Sequence, residues 1–380
     1  MRIPPLLPIT LIAFIGFFTM GLALPVLPLH VHDTLGLSPT IVGVVAGSQF
    51  AAALLSRLWA GALTDSKGAK LSMQAGLLAI AAGGAIYHAS LFFLSAPDIS
   101  VGVLIVARLL IGCAESFLVT GALTWGVLLL GPHRAGMVMA WVGTAIYGGY
   151  AAAAPLGVAL FGFDGFRALA AVTVLLPLLG MLALIPMIAV SPLAAKRPPF
   201  YKVLGAVVIP GLGLAMIGAG LSSITAFVAL LFAERGWEGT SLVFTIFGVS
   251  FIVARLFFSP LPDRIGGAKV ALVCAAIEAV GLLMIWPATT PLVAFVGAAL
   301  AGFGYSLAFP GFGVEAVRRA PPESRGMAMG AYVAFLDVSL GITGPLLGVV
   351  ASHLGIGMVY LAASAMVFAA VPIAIRLLRP

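Results

Sequence analysis

The chain has 380 residues, 62% of them apolar and only 8% charged, and a mean hydropathy of +1.21. Soluble domains carry about 25% charged residues. This composition excludes a water-soluble globular protein and implies side chains that face lipid or other buried helices. The formal charge of +7 comes from basic residues scattered through short loops, with no basic, aromatic-interleaved patch that would bind nucleic acid.

A membrane span needs roughly 20 apolar residues. Cutting the chain at its polar and Gly/Pro breaks predicts spans over residues 8–31, 39–63, 70–95, 100–130, 135–162 and 167–191. Six more follow over 204–233, 240–261, 268–286, 291–318, 326–353 and 357–378. The first reads as a retained span, since no small-residue cleavage site precedes a polar mature start. Ser38-Pro39 is an N-cap with proline at the first helical position, and Gly131-Pro132 and Pro321-Pro322 end the spans before them. Cys113 and Cys274 lie inside apolar segments without metal-ligand spacing and read as small core residues.

Fourteen basic residues fall on the side that holds both termini. Only Arg167 and Arg235 fall on the other, and Arg57, Arg108 and Arg255 lie within spans. The bias places both termini in the cytoplasm of a multi-pass protein of the cell (inner) membrane. The Pro-rich, basic stretch at 192–203 reads as a cytoplasmic linker between a six-helix bundle over 1–191 and another over 204–380.

The halves repeat. Arg57, Leu58, Leu63 and Asp65 return as Arg255, Leu256, Leu261 and Asp263, 198 positions later. "GMVMA" at 136–140 returns as "GMAMG" at 326–330, and Pro155 as Pro345, both at an offset of 190. Two similar halves in one orientation are parallel repeats.

At "GALTDSKGAK" the chain resembles the major facilitator superfamily, whose signature loop follows the second span. Gly61, Asp65, Gly68 and Lys70 match it, while Ser66 and Ala69 stand where basic residues are usual. "RLLIG" at 108–112 resembles the fourth-span Arg-x-x-x-Gly element. "APLG" at 154–157 resembles the fifth-span element of the drug–proton antiporter branch, with Ala154 in place of glycine. The resemblance implies an all-α membrane protein of twelve transmembrane helices in two six-helix pseudo-repeats. It also implies a gating role for the loop, in which Asp65 past a helix end would meet the N-terminus of helix eleven near Gly326. Asp263 and Arg264 are the second copy, and Pro155, Gly157, Gly344 and Pro345 are expected helix-packing hinges.

A charge at mid-bilayer costs roughly 2.5–3.5 kcal/mol on insertion scales, so it persists with a partner or a task. Glu115, Asp337 and Glu278 sit near the middles of their spans, and Arg108 lies two helical turns before Glu115 on the same face. These four are the candidate proton- and substrate-coupling residues. The resemblance favours Glu115 and Asp337, since its ninth span, which carries Glu278, is peripheral. Under the repeat alignment Arg108, Glu115 and Asp337 face Ala298, Tyr305 and Tyr147, so these charges are not shared between halves. Arg57 and Arg255 read as snorkelling side chains, His30, His32 and Asp33 as an interfacial polar cluster, and Glu315 with Arg318 as a helix-surface pair.

The reading is a monomeric secondary transporter exporting a small neutral or cationic amphiphile against protons, powered by the proton gradient without cofactor or metal. Import of a metabolite or sugar by proton symport is the alternative, and a non-transporting sensor or a membrane-embedded enzyme the rival of another class. No His-Glu-x-x-His or Gly-x-Ser-x-Gly motif supports an enzyme. The topology is testable by cysteine labelling: a cysteine at Lys196 should react only with cytoplasmic reagent, and labelling from outside would overturn six plus six.

Overall fold

The computed structural model describes residues 6–131, 134–190, 201–320 and 325–378. The linker expected at 192–203 lies outside them up to residue 200. The described chain is all helical: α1 (Leu7–Gly21), α2 (Leu27–Leu29), α3 (Pro39–Lys67), α4 (Ala69–Ser90), α5 (Pro97–Leu130) and α6 (Ala135–Leu184) come first. The remainder are α7 (Tyr201–Glu234), α8 (Thr240–Phe258), α9 (Leu261–Ile265), α10 (Gly267–Ile285), α11 (Pro291–Arg319), α12 (Arg325–Leu354), α13 (Ile356–Phe368) and α14 (Ala370–Leu378).

Among the described residues, ten helices are long and apolar enough to cross a bilayer. The longest, α6, breaks at Asp164 (φ −145°, ψ 34°) and Gly165 (φ 58°, ψ −149°) and so supplies two spans. The shorter apolar helix α1 adds one more. Twelve crossings are thereby accounted for.

Two boundaries differ from the sequence reading. The first span stops at Gly21, and turns lead through α2 into a π-helical segment over His30–Thr34. Pro25 and Pro28 remove backbone donors there, so a regular helix cannot continue unchanged. The signature stretch is also not a loop. α3 runs through Lys67, Gly68 alone leaves the helix (φ 96°, ψ 156°), and α4 starts at Ala69. Asp65 therefore stands on the last turn of a helix rather than beyond it. Gly266, 198 residues on, adopts nearly the same conformation (φ 99°, ψ 136°) before α10. Only glycine takes this left-handed extended geometry without strain.

The chain forms two compact units, Met1–Leu37 with Ser48–Ala195, and Ser38–Gly47 with Lys196–Pro380. In the first, α4 packs on α5 and α6, and α1 on α6. In the second, α10 packs on α11, α12 on α7, and α11 on α8. The repeat extends to individual contacts. Ser116 Oγ donates to the Ala53 carbonyl and Ser306 Oγ to the Phe251 carbonyl, the same bond in each half. Gly112 lies against the Gln49 backbone as Gly302 lies against that of Phe247. Gly83 faces Ala107 and Ile111, and Gly281 faces the equivalent Gly297 and Ala301. In hydrocarbon no hydrophobic force drives helices together, so small residues that admit close backbone approach carry the association.

That makes the glycine positions unequal. A methyl group on Gly281 would sit 2.5 Å from the Gly297 carbonyl oxygen, whereas one on Gly102 would meet nothing within 4 Å. Gly281→Val should lower the thermal unfolding temperature in detergent by several degrees or abolish folding. Gly102→Ala should hold or raise it, since alanine gains up to about 1 kcal/mol of helix propensity over glycine. Equal tolerance at both sites would contradict this packing.

Candidate functional site

Four helices of the first unit bring polar side chains together within its apolar body. Gln49 on α3 is buried, and its Nε2 donates to Glu115 Oε2 on α5 at 2.8 Å. Its own Oε1 is buried without a partner among the described residues. Arg108, 3% exposed on the same face of α5, points Nη1 at the Tyr87 hydroxyl on α4 at 3.5 Å. Tyr150 of α6 lies within electrostatic reach of Glu115, Arg108 and Tyr147, its ring edge-on to Phe17 at 5.5 Å. Sequence reasoning placed Arg108 and Glu115 on one face but missed Gln49, Tyr87 and Tyr150. Gln49, a lone amide in a long apolar segment, was the available signal.

The second unit keeps the scaffold of this network and replaces its chemistry. Where the first has Gln49 bonded to Glu115, the second has Phe247 and Tyr305, with ring centroids 6.2 Å apart. Ala298 stands at the position of Arg108 and is fully buried. Asp337 is buried on α12, two residues from Ser339, which donates to the Ala215 carbonyl of α7 and lies 3.4 Å from Thr343. Glu278, placed at the periphery by the resemblance, is itself fully buried, and neither carboxyl oxygen has a partner among the described residues. Gly220 of α7 and Gly304 of α11 make its room, for a methyl group on either would collide with it. Arg255 does not simply reach for the interface: its guanidinium lies over Phe251 at 4.8 Å and Phe309 at 5.9 Å, a cation–π arrangement.

Of the signature residues, Gly61 is buried and Asp65 half-buried on α3. The partner expected for Asp65 starts near Gly326, whose side-chain surroundings lie outside the described residues. Asp263 and Arg264 are exposed on α9 and make no ion pair among the described residues. Lys70 has a definite task. Its Nζ donates to the Ile185 and Met187 carbonyls at 2.7 and 2.6 Å, closing the C-terminal end of α6. A cation there satisfies free carbonyls and complements the helix dipole.

In the second unit, Arg319 donates to the Leu377 carbonyl at 3.3 Å and so closes α14. Leu377 is Met187 shifted by 190 positions, so both halves cap their last helix with a cation taken from different helices. Arg319 is held in turn by Glu315, which also pairs with Arg318 at 2.7 Å and accepts the Ala268 N–H at the start of α10 at 3.2 Å. Glu315 is only 1% exposed. The expected pair with Arg318 is present and Arg318 is exposed, while through Arg319 and the Ala268 N–H the buried Glu315 also joins α10, α11 and α14.

Pro155 and Pro345 lie inside α6 and α12, where each removes one helical hydrogen bond and permits bending. Gly157 lies against the Leu22 backbone, and Gly344 against the Gly43 carbonyl within the second unit. No three His, Cys, Asp or Glu side chains are grouped to hold a metal among the described residues.

Helix-end capping by these cations sets an order of stabilities. Lys70→Met and Arg319→Met should each destabilise the protein by about 1 kcal/mol, the worth of a cation at a helix C-terminus, while Lys70→Arg should cost less. Glu315→Ala should cost more than Arg319→Met, since it strands two guanidinium groups and a helix N-terminus. Thermal unfolding in detergent reads all four, and no loss in either methionine variant would contradict the capping role.

A model of the Major Facilitator Superfamily matches residues 9–238 and 210–380. The chain is 42% identical over 354 residues to an MFS-type transporter of Salmonella typhimurium, covering 93% of this chain and 91% of that one. It is 39% identical over 369 residues to the MFS-type transporter YhhS of Escherichia coli, covering 97% and 91%. Among solved structures, the nucleoside transporter NupG superposes with a TM-score of 0.81 at 15% identity, over 99% of this chain and 100% of that one. A D-xylose-proton symporter superposes with a TM-score of 0.80 at 16% identity, over 99% and 98%. These likenesses establish the fold. With its twelve crossings, its two matching halves and these relatives, the chain belongs to the Major Facilitator Superfamily of transporters and is not an enzyme.

Proposed function

We propose that the protein is a proton-coupled secondary transporter of the inner membrane that exports a small neutral or cationic amphiphile in exchange for protons. The observation that carries this is the Gln49–Glu115 pair with Arg108 beside it, built on a scaffold whose other copy holds Phe247, Tyr305 and Ala298. A buried charge retained in one half only, against a cost of roughly 2.5–3.5 kcal/mol on insertion scales, has a task that the scaffold does not need. Glu115, Asp337 and Glu278 near the middles of their spans, against Arg108 and with Arg57 and Arg255 nearer the cytoplasmic ends of theirs, disfavour an anionic cargo, which would want clustered arginine. The Ala154-Pro155-Leu156-Gly157 element supports the drug–proton antiporter branch.

In this reading Glu115 and Asp337 take and release the proton, with Glu278 as third candidate. The halves move by alternating access, the Asp65 helix end acts as gate, and the prolines of α6 and α12 serve as bending points. The protein acts as a monomer with both termini cytoplasmic. The buried Gln49 Oε1, without a partner among the described residues, favours one second reading, uptake of a hydroxyl-bearing metabolite by proton symport, since it could accept a hydroxyl hydrogen bond.

Transport against an imposed pH gradient in proteoliposomes tests the proposal, with ethidium as the cationic amphiphile and xylose as the hydroxyl-bearing probe. Asp337→Asn or Glu115→Gln should abolish gradient-driven accumulation while leaving substrate exchange, because a permanently neutral side chain cannot turn a proton over. Full gradient-driven transport by both variants would overturn their coupling role, and its loss only in Glu278→Gln would transfer that role to Glu278.

A further inference from the structure

The end of the first unit opposite Lys70 along α4 holds a cavity that the proposed transport reading does not use. Three irregular segments build it: the π-helical turn from His30, the 3-10 turn Leu91–Phe93 that ends α4, and the backbone break at Asp164–Gly165. Its volume is about 300 Å³. That is the small end of the range of small-molecule pockets.

The chemistry of the walls is divided. Leu91 and Leu94 make an apolar side, and Phe166 lies with its ring stacked on His30 at a centroid distance of 4.3 Å and an interplanar angle of 4°. His30 is 2% exposed, and its Nε2 is buried without a hydrogen-bond partner among the described residues. The neighbouring His32 is different, since its Nδ1–H donates to the Leu37 carbonyl at 2.8 Å. Asp164 and Arg167 line the same cavity as exposed side chains, and neither makes an ion pair among the described residues. A carboxylate and a guanidinium three residues apart would ordinarily serve each other. Here the backbone break at Asp164–Gly165 precedes Arg167 in the chain, and both charged residues border one apolar recess.

We propose that this cavity binds a small zwitterion with an apolar body, of the size of an apolar amino acid. Asp164 receives the ammonium group, Arg167 the carboxylate, and the body lies against Leu91, Leu94 and Phe166. The Arg167 fork suits a carboxylate, and a mostly apolar pocket with few polar groups is the usual form of a small-molecule site. An ethanolamine phospholipid headgroup offers the same two charges. It brings no compact apolar body into the recess, so the soluble zwitterion fits better.

The test uses the full-length protein in phosphatidylcholine nanodiscs with radiolabelled phenylalanine and leucine, and with phenethylamine and 3-phenylpropionate as analogues that lack one charge. Phenylalanine should bind saturably and about five-fold tighter than either analogue, the scale of one exposed charge pair. Asp164→Asn should erase the advantage over 3-phenylpropionate, and Arg167→Gln that over phenethylamine. Both residues are exposed, so unchanged thermal unfolding of the variants checks their folding. Absence of saturable binding up to about 10 mM, the weak end of specific affinity, would overturn the proposal, as would wild-type selectivity in both variants. Binding should persist when phosphatidylethanolamine replaces phosphatidylcholine. Its loss there would assign the site to the lipid headgroup and overturn the soluble ligand. The readout is binding alone, so the result stands apart from whether Glu115 or Asp337 couples protons.

Discussion

An unsatisfied polar group in hydrocarbon costs several kcal/mol, and nearly every feature of this chain answers that constraint. Backbone groups are satisfied within helices. Serine and threonine hydroxyls turn back onto carbonyls, as Thr64 does to Ala60 and Thr173 to Leu169. Open helix ends are closed by cations, Lys70 on α6 and Arg319 on α14. With those groups satisfied, glycine-lined surfaces let helices pack at close range, and the contacts Gly83–Ala107 and Gly281–Gly297 are one solution used twice.

Against that repeated solution, the halves depart from each other in polar and charged residues. The position that holds Glu115 in one half holds Tyr305 in the other, and Arg108 is matched by Ala298. Exchanging polar for apolar residues leaves the shared Ser116 and Ser306 bonds intact, so the scaffold does not require the charges. Glu278 is the sharpest departure. It is fully buried against Gly220 and Gly304, with no partner for either oxygen among the described residues.

The spans, their order and the two-fold repetition were legible because hydropathy, proline breaks and duplicated motifs all act locally. The break inside α6 was legible too, since Phe161-Gly162-Phe163-Asp164-Gly165 interrupts an apolar run. Other features were hidden. "TDSKG" reads as a loop from composition, yet only Gly68 leaves the helix, because one glycine in a left-handed extended geometry suffices to turn the chain. Lys70 reaches carbonyls more than a hundred residues away, and nothing near it in sequence indicates that. Gln49 stood out as a lone amide, but that it meets Glu115, and that Tyr87 meets Arg108, was hidden, because helices apolar on every side show no periodic face from which to read a neighbour. The cavity beside His30 depends on three irregular segments meeting, which no local pattern encodes.

In the proposed mechanism, buried carboxylates on an asymmetric pair of halves couple cargo to protons. Proton movement itself measures this most directly, in proteoliposomes that contain a pH-sensitive dye and the wild-type protein. With no gradient imposed, an outward flux of ethidium should draw protons in the opposite direction, and the dye signal should vanish in empty liposomes. Ethidium moving through the protein only to equilibrium, with no proton movement under any imposed pH difference, would contradict the account.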